Sequence, residues 1–251
     1  MKALNSNKLK VTDVQDSGQL AQKALELFKD AARKAISKKN VFYLAISGGK
    51  TPRKFYQLLG QDKESINLPW DKIQLFWVDE RCVSPSSSDS NYKLAADTFL
   101  KTVPIPEQNI HRISGEMEDY SVAVKEYDEV LKKVFALKPG QLPKFDLMIL
   151  GMGPDGHIGS LLPSSYALFD TEDLVAVVYQ MSGGLNRITL THPVMCAAHK
   201  LIIMVGGAEK AEIVRDVLIS APDEVKYPVH TLWPILDKVA WLIDSQAAKY
   251  L

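Results

Sequence analysis

The chain has 251 residues, of which 46% are hydrophobic and 24% are charged, as is typical of soluble globular proteins. Because thirty Lys and Arg residues balance thirty Asp and Glu residues, no net charge favours nucleic acid or a membrane surface as a partner. Two cysteines, Cys82 and Cys196, are too few for a disulfide framework and indicate a reducing, cytoplasmic setting. Residues 1–15 lack the apolar core of a signal peptide, and no apolar run is long enough to span a bilayer.

Helices and strands are predicted to alternate, because apolar residues at helical spacing alternate with short continuous apolar runs. In chain order the pattern predicts a helix at 19–36, a strand at 41–46, a helix at 52–59, a strand at 73–78, a helix from 91, a strand at 110–113, a helix at 119–136, strands at 145–150, 174–179, 187–190 and 201–205, a helix that ends near 218, and a strand at 239–243. Thr51 is the expected N-cap of the helix at 52–59, with Pro52 in its first position. The alternation indicates one α/β domain with a parallel sheet that is covered on both faces.

The loop after the strand 145–150 has the composition of a ligand site. The sequence Gly-Met-Gly-Pro-Asp-Gly-His follows that strand and ends at His157. Open α/β sheets bind ligands beyond the carboxyl ends of their strands, where glycines let the backbone approach a ligand closely. A histidine in such a loop can exchange protons near neutral pH. The alternative is a tight turn in which His157 is incidental.

Two segments share spacing with nucleotide-binding motifs but lack parts that those sites need. The spacing Gly-x-Gly-x-x-Gly at 151–156 matches the dinucleotide fingerprint, but Asp155 would repel a pyrophosphate and Pro163 cuts short the helix that should follow. The sequence Gly-Lys-Thr at 49–51 matches the end of a P-loop, which also requires a glycine where this chain has Leu44. Neither segment therefore predicts nucleotide binding.

The remaining candidate motifs indicate neither a serine hydrolase nor a metal site. Ser47 lies outside any Gly-x-Ser-x-Gly sequence. His192 and His199 have no Cys or His pair at zinc spacing, so we expect them to face solvent or to cap helices. We expect His230 to cap a helix as well, the alternative being an approach to the ligand site.

Other loops contribute groups that bind phosphate. Residues 47–52 lead into a helix N-terminus, which offers free amides, hydroxyls and the positive end of a helix dipole. Arg81 follows the strand at 73–78, Arg187 opens a strand after the flexible segment 182–184, and Lys210 begins a helix. Each cation taken alone could be an ordinary solvated surface residue.

Together, these loops predict a site at the edge of one sheet. Guanidinium groups such as those of Arg81 and Arg187 match phosphate oxygens in geometry and charge. If His157 stands at the same edge, an acid–base group lies beside an anion pocket. That combination indicates an enzyme for a sugar phosphate rather than a binding module.

Five short motifs occur in a fixed order along the chain. They are Ser47-Gly-Gly-x-Thr-Pro52, Asp79-Glu-Arg81, Gly151-x-Gly-Pro-Asp-Gly-His157, Arg187-Ile-Thr-Leu-Thr191 and Gly207-x-x-Lys-Ala211. In this order they resemble the 6-phosphogluconolactonases, within the larger family that includes glucosamine-6-phosphate deaminase. The motifs extend from residue 47 to residue 211, so the resemblance covers nearly the whole chain.

The resemblance implies a three-layer α/β/α sandwich with a mostly parallel, Rossmann-like central sheet, in one domain at 1–251. It implies hydrolysis of 6-phosphogluconolactone to 6-phosphogluconate in the pentose phosphate pathway, without a cofactor or a metal. The expected partner is a small phosphorylated sugar lactone, with no nucleic acid and no membrane, and the expected assembly is a monomer or a small homo-oligomer.

The resemblance also assigns roles to individual residues. His157 would be the catalytic acid–base group, and Asp155 would orient that histidine or hold a sugar hydroxyl. The residues that would surround the phosphate or line the adjoining sugar site are Ser47, Gly48, Gly49, Thr51, Arg81, Arg187 and Lys210. Asp79 falls where the deaminase branch keeps a proton-abstracting carboxylate, and we expect it to contact substrate here. Backbone amides of the loop 151–156 are the expected donors to the oxyanion at C1.

Two other functions are compatible with parts of this pattern. The deaminase branch usually carries a glutamate five residues beyond the histidine, whereas this chain has Leu162, which cannot move protons. A non-catalytic sugar-phosphate sensor could use the same fold. Such sensors usually carry a DNA-binding helix-turn-helix, and this sequence shows no basic N-terminal extension to house one. The sequence therefore favours the lactonase.

Overall fold

A computed structural model describes residues 10–180 and 183–251. Ser182, which belongs to the segment predicted to be flexible, lies outside the described residues. The strands in the described ranges are β1 (Lys10–Val14), β2 (Phe42–Ile46), β3 (Ile73–Trp77), β4 (Asp79–Arg81), β5 (Ile110–His111), β6 (Leu147–Gly151), β7 (Val175–Val178), β8 (Arg187–Leu190), β9 (Leu201–Val205) and β10 (Val239–Asp244). The α-helices are α1 (Ser17–Lys39), α2 (Lys50–Leu59), α3 (Lys63–Ile66), α4 (Asn91–Ala95), α5 (Tyr120–Val134), α6 (Tyr166–Phe169), α7 (His192–Ala197) and α8 (Ala211–Ile219). Short 3-10 segments are at Trp70–Lys72, Glu107–Asn109, Ala208–Lys210 and Pro228–Lys238, and a π-helical turn is at Ala96–Leu100.

Seven of these strands form a parallel sheet in the order β1-β10-β9-β6-β2-β3-β5. The chain adds β3 and β5 on one side of β2, then crosses through α5 and adds β6 on the other side. Strands such as β9 are buried along their whole length, as expected for a parallel sheet covered on both faces. The prediction of a mostly parallel α/β sheet is confirmed.

Helices cover both faces of the sheet. On one face, Phe42 of β2 packs against Phe28 of α1 with 5.9 Å between ring centroids, and Phe28 packs against Phe55 of α2 at 6.1 Å. On the other face, Phe76 of β3 packs against Tyr127 of α5 at 6.5 Å. These layers form the predicted three-layer sandwich, and its buried apolar side chains make one continuous cluster.

The remaining strands form a small antiparallel sheet in the order β4-β8-β7. This finding corrects the prediction that residues 79–81 are a loop at the edge of the main sheet. Arg81 lies directly opposite Arg187, and Asp79 lies directly opposite Thr189. The segment 79–81 has no apolar run that would predict a strand. Its strand conformation comes from backbone pairing with β8.

One other local expectation was wrong, and one strand was missed. The N-cap of α2 is Gly49, with φ of 109°, and Thr51 lies inside the first turn. A glycine tolerates this positive φ, whereas a threonine would be strained there. Strand β1 was not predicted, because it is a largely exposed edge strand without an apolar run, ordered by pairing with β10.

The expected helix-capping role of His230 is confirmed. Its imidazole is fully buried and accepts the Asp223 N–H at Nδ1 over 2.7 Å. The other nitrogen, Nε2, therefore carries the proton and donates to the Val217 carbonyl at 2.9 Å, in the last turns of α8.

In the part of the chain that the structure describes, no helix is both long and apolar enough to cross a bilayer.

Acidification is expected to destabilise the protein through His111. Burial lowers the pKa of His111 from 6.5 to about 4, and the ring stacks on Phe76 with 4.4 Å between centroids. Because the unfolded chain binds this proton first as the pH falls, this part of the stability is complete above pH 6.5 and is lost between pH 6.5 and about 4. His111→Gln should flatten that dependence by about 2 kcal/mol in the free energy of unfolding, after allowance for solvent screening of a half-buried group.

Urea unfolding at about pH 7 and about pH 4.5 measures this difference. His199→Gln, at an exposed position, is the matched control. Equal losses of stability on acidification in wild type and His111→Gln would show that His111 is not responsible.

Candidate active site

The site lies at the carboxyl edge of the parallel sheet, where the strand order reverses. Strand β2 is flanked by β3 and β6: the chain adds β3 and β5 on one side of β2 and later adds β6 and β9 on the other. Such a switch point opens a crevice between the loops that follow neighbouring strands. Here the loops after β2, β6 and β9, together with strands β4 and β8, border an open cleft of about 400 Å³.

The cleft brings the predicted residues together. Those that line it are Ser47, Gly48, Gly49, Thr51, Asp79, Arg81, His157, Arg187 and Lys210. Asp155 does not line the cleft and contacts His157 instead. Asp79, Arg81 and Arg187 reach the cleft from the small antiparallel sheet, and the other residues reach it from loops that follow strands of the main sheet.

His157 and Asp155 form a hydrogen-bonded pair at one wall. Nδ1 of His157 lies 2.6 Å from Oδ1 of Asp155. Burial raises the pKa of Asp155, but the hydrogen bond and charge interaction with His157 outweigh burial and hold that pKa below its ordinary value. Since an ionised carboxylate only accepts hydrogen bonds, Nδ1 carries the ring proton of neutral His157. Its Nε2 is then an unprotonated acceptor, and no described residue occupies it.

The glycines after β6 pack the loop around this histidine. A Cβ at Gly153 would overlap the His157 imidazole, and the Gly153 N–H donates to the His157 carbonyl at 2.8 Å. The Gly156 N–H donates to the Gly153 carbonyl at 3.2 Å. Because these two amides are already paired, the expected oxyanion donors in this loop do not include them.

The charge of the cleft is net positive. Its cationic side chains are Lys50, Arg81, Arg187 and Lys210, against the carboxylates of Asp79 and Glu209. Burial lowers the pKa of Lys210. Burial also lowers the pKa of Arg187, as does the nearby charge of Arg81, while Asp79 partly offsets both. Like charges directly opposite each other on paired strands destabilise a sheet, so the two arginines favour an anion between them.

The glycine loop after β2 is held from two sides. The Tyr56 hydroxyl donates to the Ser47 carbonyl, and the Asn91 side chain lies where a Cβ of Gly48 would be. The Asn91 amide also donates to the Asp79 carbonyl at 2.8 Å. The hydroxyl of Ser47 is buried without a partner among the described residues, so a ligand in the cleft can supply one.

Glu80 does not line the cleft but supports it, and sequence reasoning missed this role. Its buried carboxylate accepts the backbone N–H groups of Arg81 and Asn91 at 2.8 and 2.7 Å. It also accepts the Tyr92 N–H at 2.8 Å and the Ser90 hydroxyl at 3.0 Å. Burial raises the pKa of Glu80, and these hydrogen bonds offset only part of that rise. The carboxylate joins β4 to the start of α4 and so positions Asn91. In the sequence, the one sign of this role was that Glu80 stands between Asp79 and Arg81.

Asp244 was also missed, and no local signal marks it. Gly207 has φ of 99°, and its N–H lies 3.1 Å from each carboxylate oxygen of Asp244. The Ala247 N–H adds a third interaction at 2.9 Å. This buried carboxylate at the end of β10 holds the turn that leads to Lys210.

The alternative chemistries lack their residues in the described structure. Among residues 10–180 and 183–251, no group of three His, Cys, Asp or Glu side chains is arranged to hold a metal ion. Leu162, at the position of the deaminase glutamate, packs against the hydrophobic core. The segment after β6 turns back through bridges of Ile158 with Met152 and Leu161, whereas the dinucleotide fingerprint requires a helix there.

The fold and the cleft define an α/β protein with a net positive cleft at the carboxyl edge of its parallel sheet. Within that class, the chain belongs to the family of glucosamine-6-phosphate isomerases and 6-phosphogluconolactonases, whose model matches residues 15–241.

Individual members of the family are similar over most of the chain. The 6-phosphogluconolactonase of Nostoc sp. is 36% identical over 236 residues, which are 94% of this chain and 95% of that protein. The enzyme of the same name from Haemophilus influenzae is 31% identical and aligns over 83% of this chain and 87% of its own. The crystal structure of 6-phosphogluconolactonase from Leishmania guyanensis superposes with a TM-score of 0.83 at 25% identity, over 97% of this chain and 98% of that one.

Gly153→Ala should displace the imidazole of His157 and break its bond to Asp155, because the added Cβ overlaps the ring. Nitrogen NMR of the histidine rings, which distinguishes a protonated from an unprotonated ring nitrogen, measures the change. Gly151→Ala is the matched control, since its Cβ would meet nothing closer than the Met204 carbonyl at 4.0 Å. Unaltered His157 signals in Gly153→Ala would refute this account of the loop.

Proposed function

We propose that the protein hydrolyses the lactone ester of 6-phosphogluconolactone to 6-phosphogluconate. The observation that carries the proposal is that His157 lines a cleft with two opposed arginines, while its Nδ1 is bonded to Asp155 and leaves Nε2 as the proton acceptor. The name of the 36% identical relative from Nostoc sp. supports the same reaction.

The substrate phosphate is proposed to bind between Arg81 and Arg187, with Lys210 adding charge. Two guanidinium groups offer paired N–H donors to a phosphate. The N-terminus of α2, at Gly49, adds backbone amides that have no partner within the helix. Asp79 and Ser47 present buried oxygens, without partners among the described residues, to the hydroxyls of the sugar.

Hydrolysis requires a proton to be taken from water and returned to the ring oxygen. Neutral His157 accepts the water proton at Nε2 as the water oxygen bonds to C1. The tetrahedral intermediate then breaks the bond from C1 to the ring oxygen, and His157 delivers its proton to that oxygen. Asp155 stabilises the imidazolium between the two steps, and the cationic cleft stabilises the negative charge on the C1 oxygen.

The phosphate contributes to the rate through position. It is remote from C1, so its binding energy can hold the carbonyl carbon and the water near His157.

The deaminase alternative is disfavoured by Leu162. Its apolar side chain cannot carry out the ring-opening proton transfer that the deaminase glutamate performs.

We also infer that the protein acts in the cytoplasm, as a monomer or small homo-oligomer with a single domain at 1–251. The cytoplasmic setting is inferred from the two free, half-buried cysteines, Cys82 and Cys196. The single domain is inferred from the one continuous core of the described residues, and the assembly from the family resemblance alone.

His157→Ala should lower kcat by about 10²–10⁴-fold, because acid–base assistance is lost while the fold is retained. The assay generates fresh lactone with glucose-6-phosphate dehydrogenase and detects 6-phosphogluconate through its own dehydrogenase, against the spontaneous rate. Circular dichroism and the melting temperature establish that the variant is folded.

Near-normal turnover by His157→Ala would overturn the proposed mechanism. Folded wild-type protein that fails to accelerate hydrolysis would overturn the proposed reaction itself. Glucosamine 6-phosphate is the next substrate to test, and a raised melting temperature without turnover would indicate a sensor.

Arg187→Ala should raise KM by about 10–100-fold with a smaller change in kcat, because a phosphate contact made equally in the ground and transition states is removed. Arg187→Lys should recover only part of the loss, since an ammonium lacks the planar fork. Arg33→Ala, which removes an exposed arginine paired with Glu64, is the control. An unchanged KM in Arg187→Ala would place the phosphate elsewhere.

A further inference from the structure

Ser160 is a buried polar residue that the proposed chemistry does not use. It lies three residues beyond His157 and has no solvent exposure. Its N–H donates to the Thr189 hydroxyl at 3.3 Å. The preceding Gly159 adopts a φ of 53°, and a Cβ there would lie 3.1 Å from Val78 and 3.3 Å from the Thr189 hydroxyl. The segment is therefore pressed between the end of β3 and strand β8.

The hydroxyl of Ser160 stands between two opposite charges. It donates to Oδ2 of Asp79 at 2.7 Å and accepts from Nη1 of Arg187 at 3.4 Å. One hydroxyl can make both bonds, because it carries one donor and two acceptor sites. Asp79 and Arg187 thus interact through Ser160.

A direct ion pair would otherwise be within reach. Asp79 is opposite Thr189 in the β4–β8 register, and Arg187 is two residues from Thr189 on the same strand. Residues at this diagonal spacing share a face of the sheet and lie about 7–8 Å apart, which a long side chain can span. A bidentate pair would occupy the arginine fork and both carboxylate oxygens.

The observed arrangement leaves those groups available. Oδ1 of Asp79 and Nε of Arg187 are both buried and have no partner in the described ranges 10–180 and 183–251. Both side chains line the cleft. Buried polar atoms are seldom left unpaired in native proteins, so an unpaired donor and acceptor at a cleft indicate a ligand that completes them.

We propose that Ser160 is a positioning residue that keeps Asp79 and Arg187 from forming a direct ion pair. Arg187 then remains free to bind phosphate, and Oδ1 of Asp79 remains free to accept a sugar hydroxyl. The assignment of phosphate to Arg187 rests on the proposed function, whereas the separating role of Ser160 rests on the contacts given above.

Binding of inorganic phosphate by calorimetry tests this role without any turnover. In Ser160→Ala the hydroxyl is gone, Arg187 closes onto Asp79, and the Kd for phosphate should rise about tenfold. KM for the lactone should rise by a similar factor while kcat changes less than about twofold, because His157 and Asp155 are untouched. A merely structural defect would lower the melting temperature and kcat together.

The double variant with Asp79→Asn makes the test specific. A neutral amide cannot hold Arg187 as a carboxylate does, so adding Ser160→Ala to Asp79→Asn should change the phosphate Kd by less than about twofold. Equal losses in the two backgrounds would show that Ser160 acts independently of Asp79 and would overturn the proposal. Wild-type phosphate affinity in Ser160→Ala would overturn it as well.

Two further variants complete the design. Ser165→Ala removes a buried hydroxyl that has no partner among the described residues, and it should bind phosphate as wild type does. Ser160→Cys has a side chain of similar size whose thiol is a much weaker donor. If Ser160→Ala does not fold, Ser160→Cys replaces it in the phosphate measurements, with and without Asp79→Asn. Phosphate binding that follows this pattern in a protein without lactonase activity would overturn the proposed function and leave the role of Ser160 supported.

Discussion

The parallel pairing of β2 with β6 is the constraint on which the rest of the site depends. Ile46 lies opposite Ile149, and the Ser47 N–H donates to the Ile149 carbonyl at 3.0 Å. This ladder brings the glycine loop after β2 beside the loop that ends at His157, although β3, β5 and α5 separate them along the chain. A slip of one residue would turn each side chain to the opposite face of the sheet, so the hydrophobic core and the cleft require the same register.

Buried carboxylates fix the loops once the sheet has placed them. Glu80 collects hydrogen bonds from β4 and the start of α4, and Asp244 holds the turn at Gly207. An isolated buried charge is costly, so each carboxylate is stable only while its donors stay in position. The loops are therefore ordered before a ligand enters, and binding need not supply the free energy to order them.

The small antiparallel sheet places charge where the main sheet does not. Pairing of β4 with β8 sets Arg81 against Arg187 across the strands, a repulsive arrangement that a bound phosphate would relieve. Asp79 partly offsets the charge of Arg187, and Ser160 links the two side chains by hydrogen bonds. Stability given up for function in this way is common at binding sites.

The sequence by itself determined the succession of helices and strands, the parallel sheet and the loop that holds His157, because apolar periodicity and glycine clusters are local properties of the chain. Five ordered motifs by themselves also indicated the family. Only the tertiary structure decided that 79–81 is a strand and that β1 forms an edge, because backbone pairing with distant segments orders both. The positioning contacts of Ser160 with Asp79 and of Asp244 with Gly207 likewise join residues far apart in the chain. Local sequence patterns cannot predict such contacts, because they depend on how the chain folds.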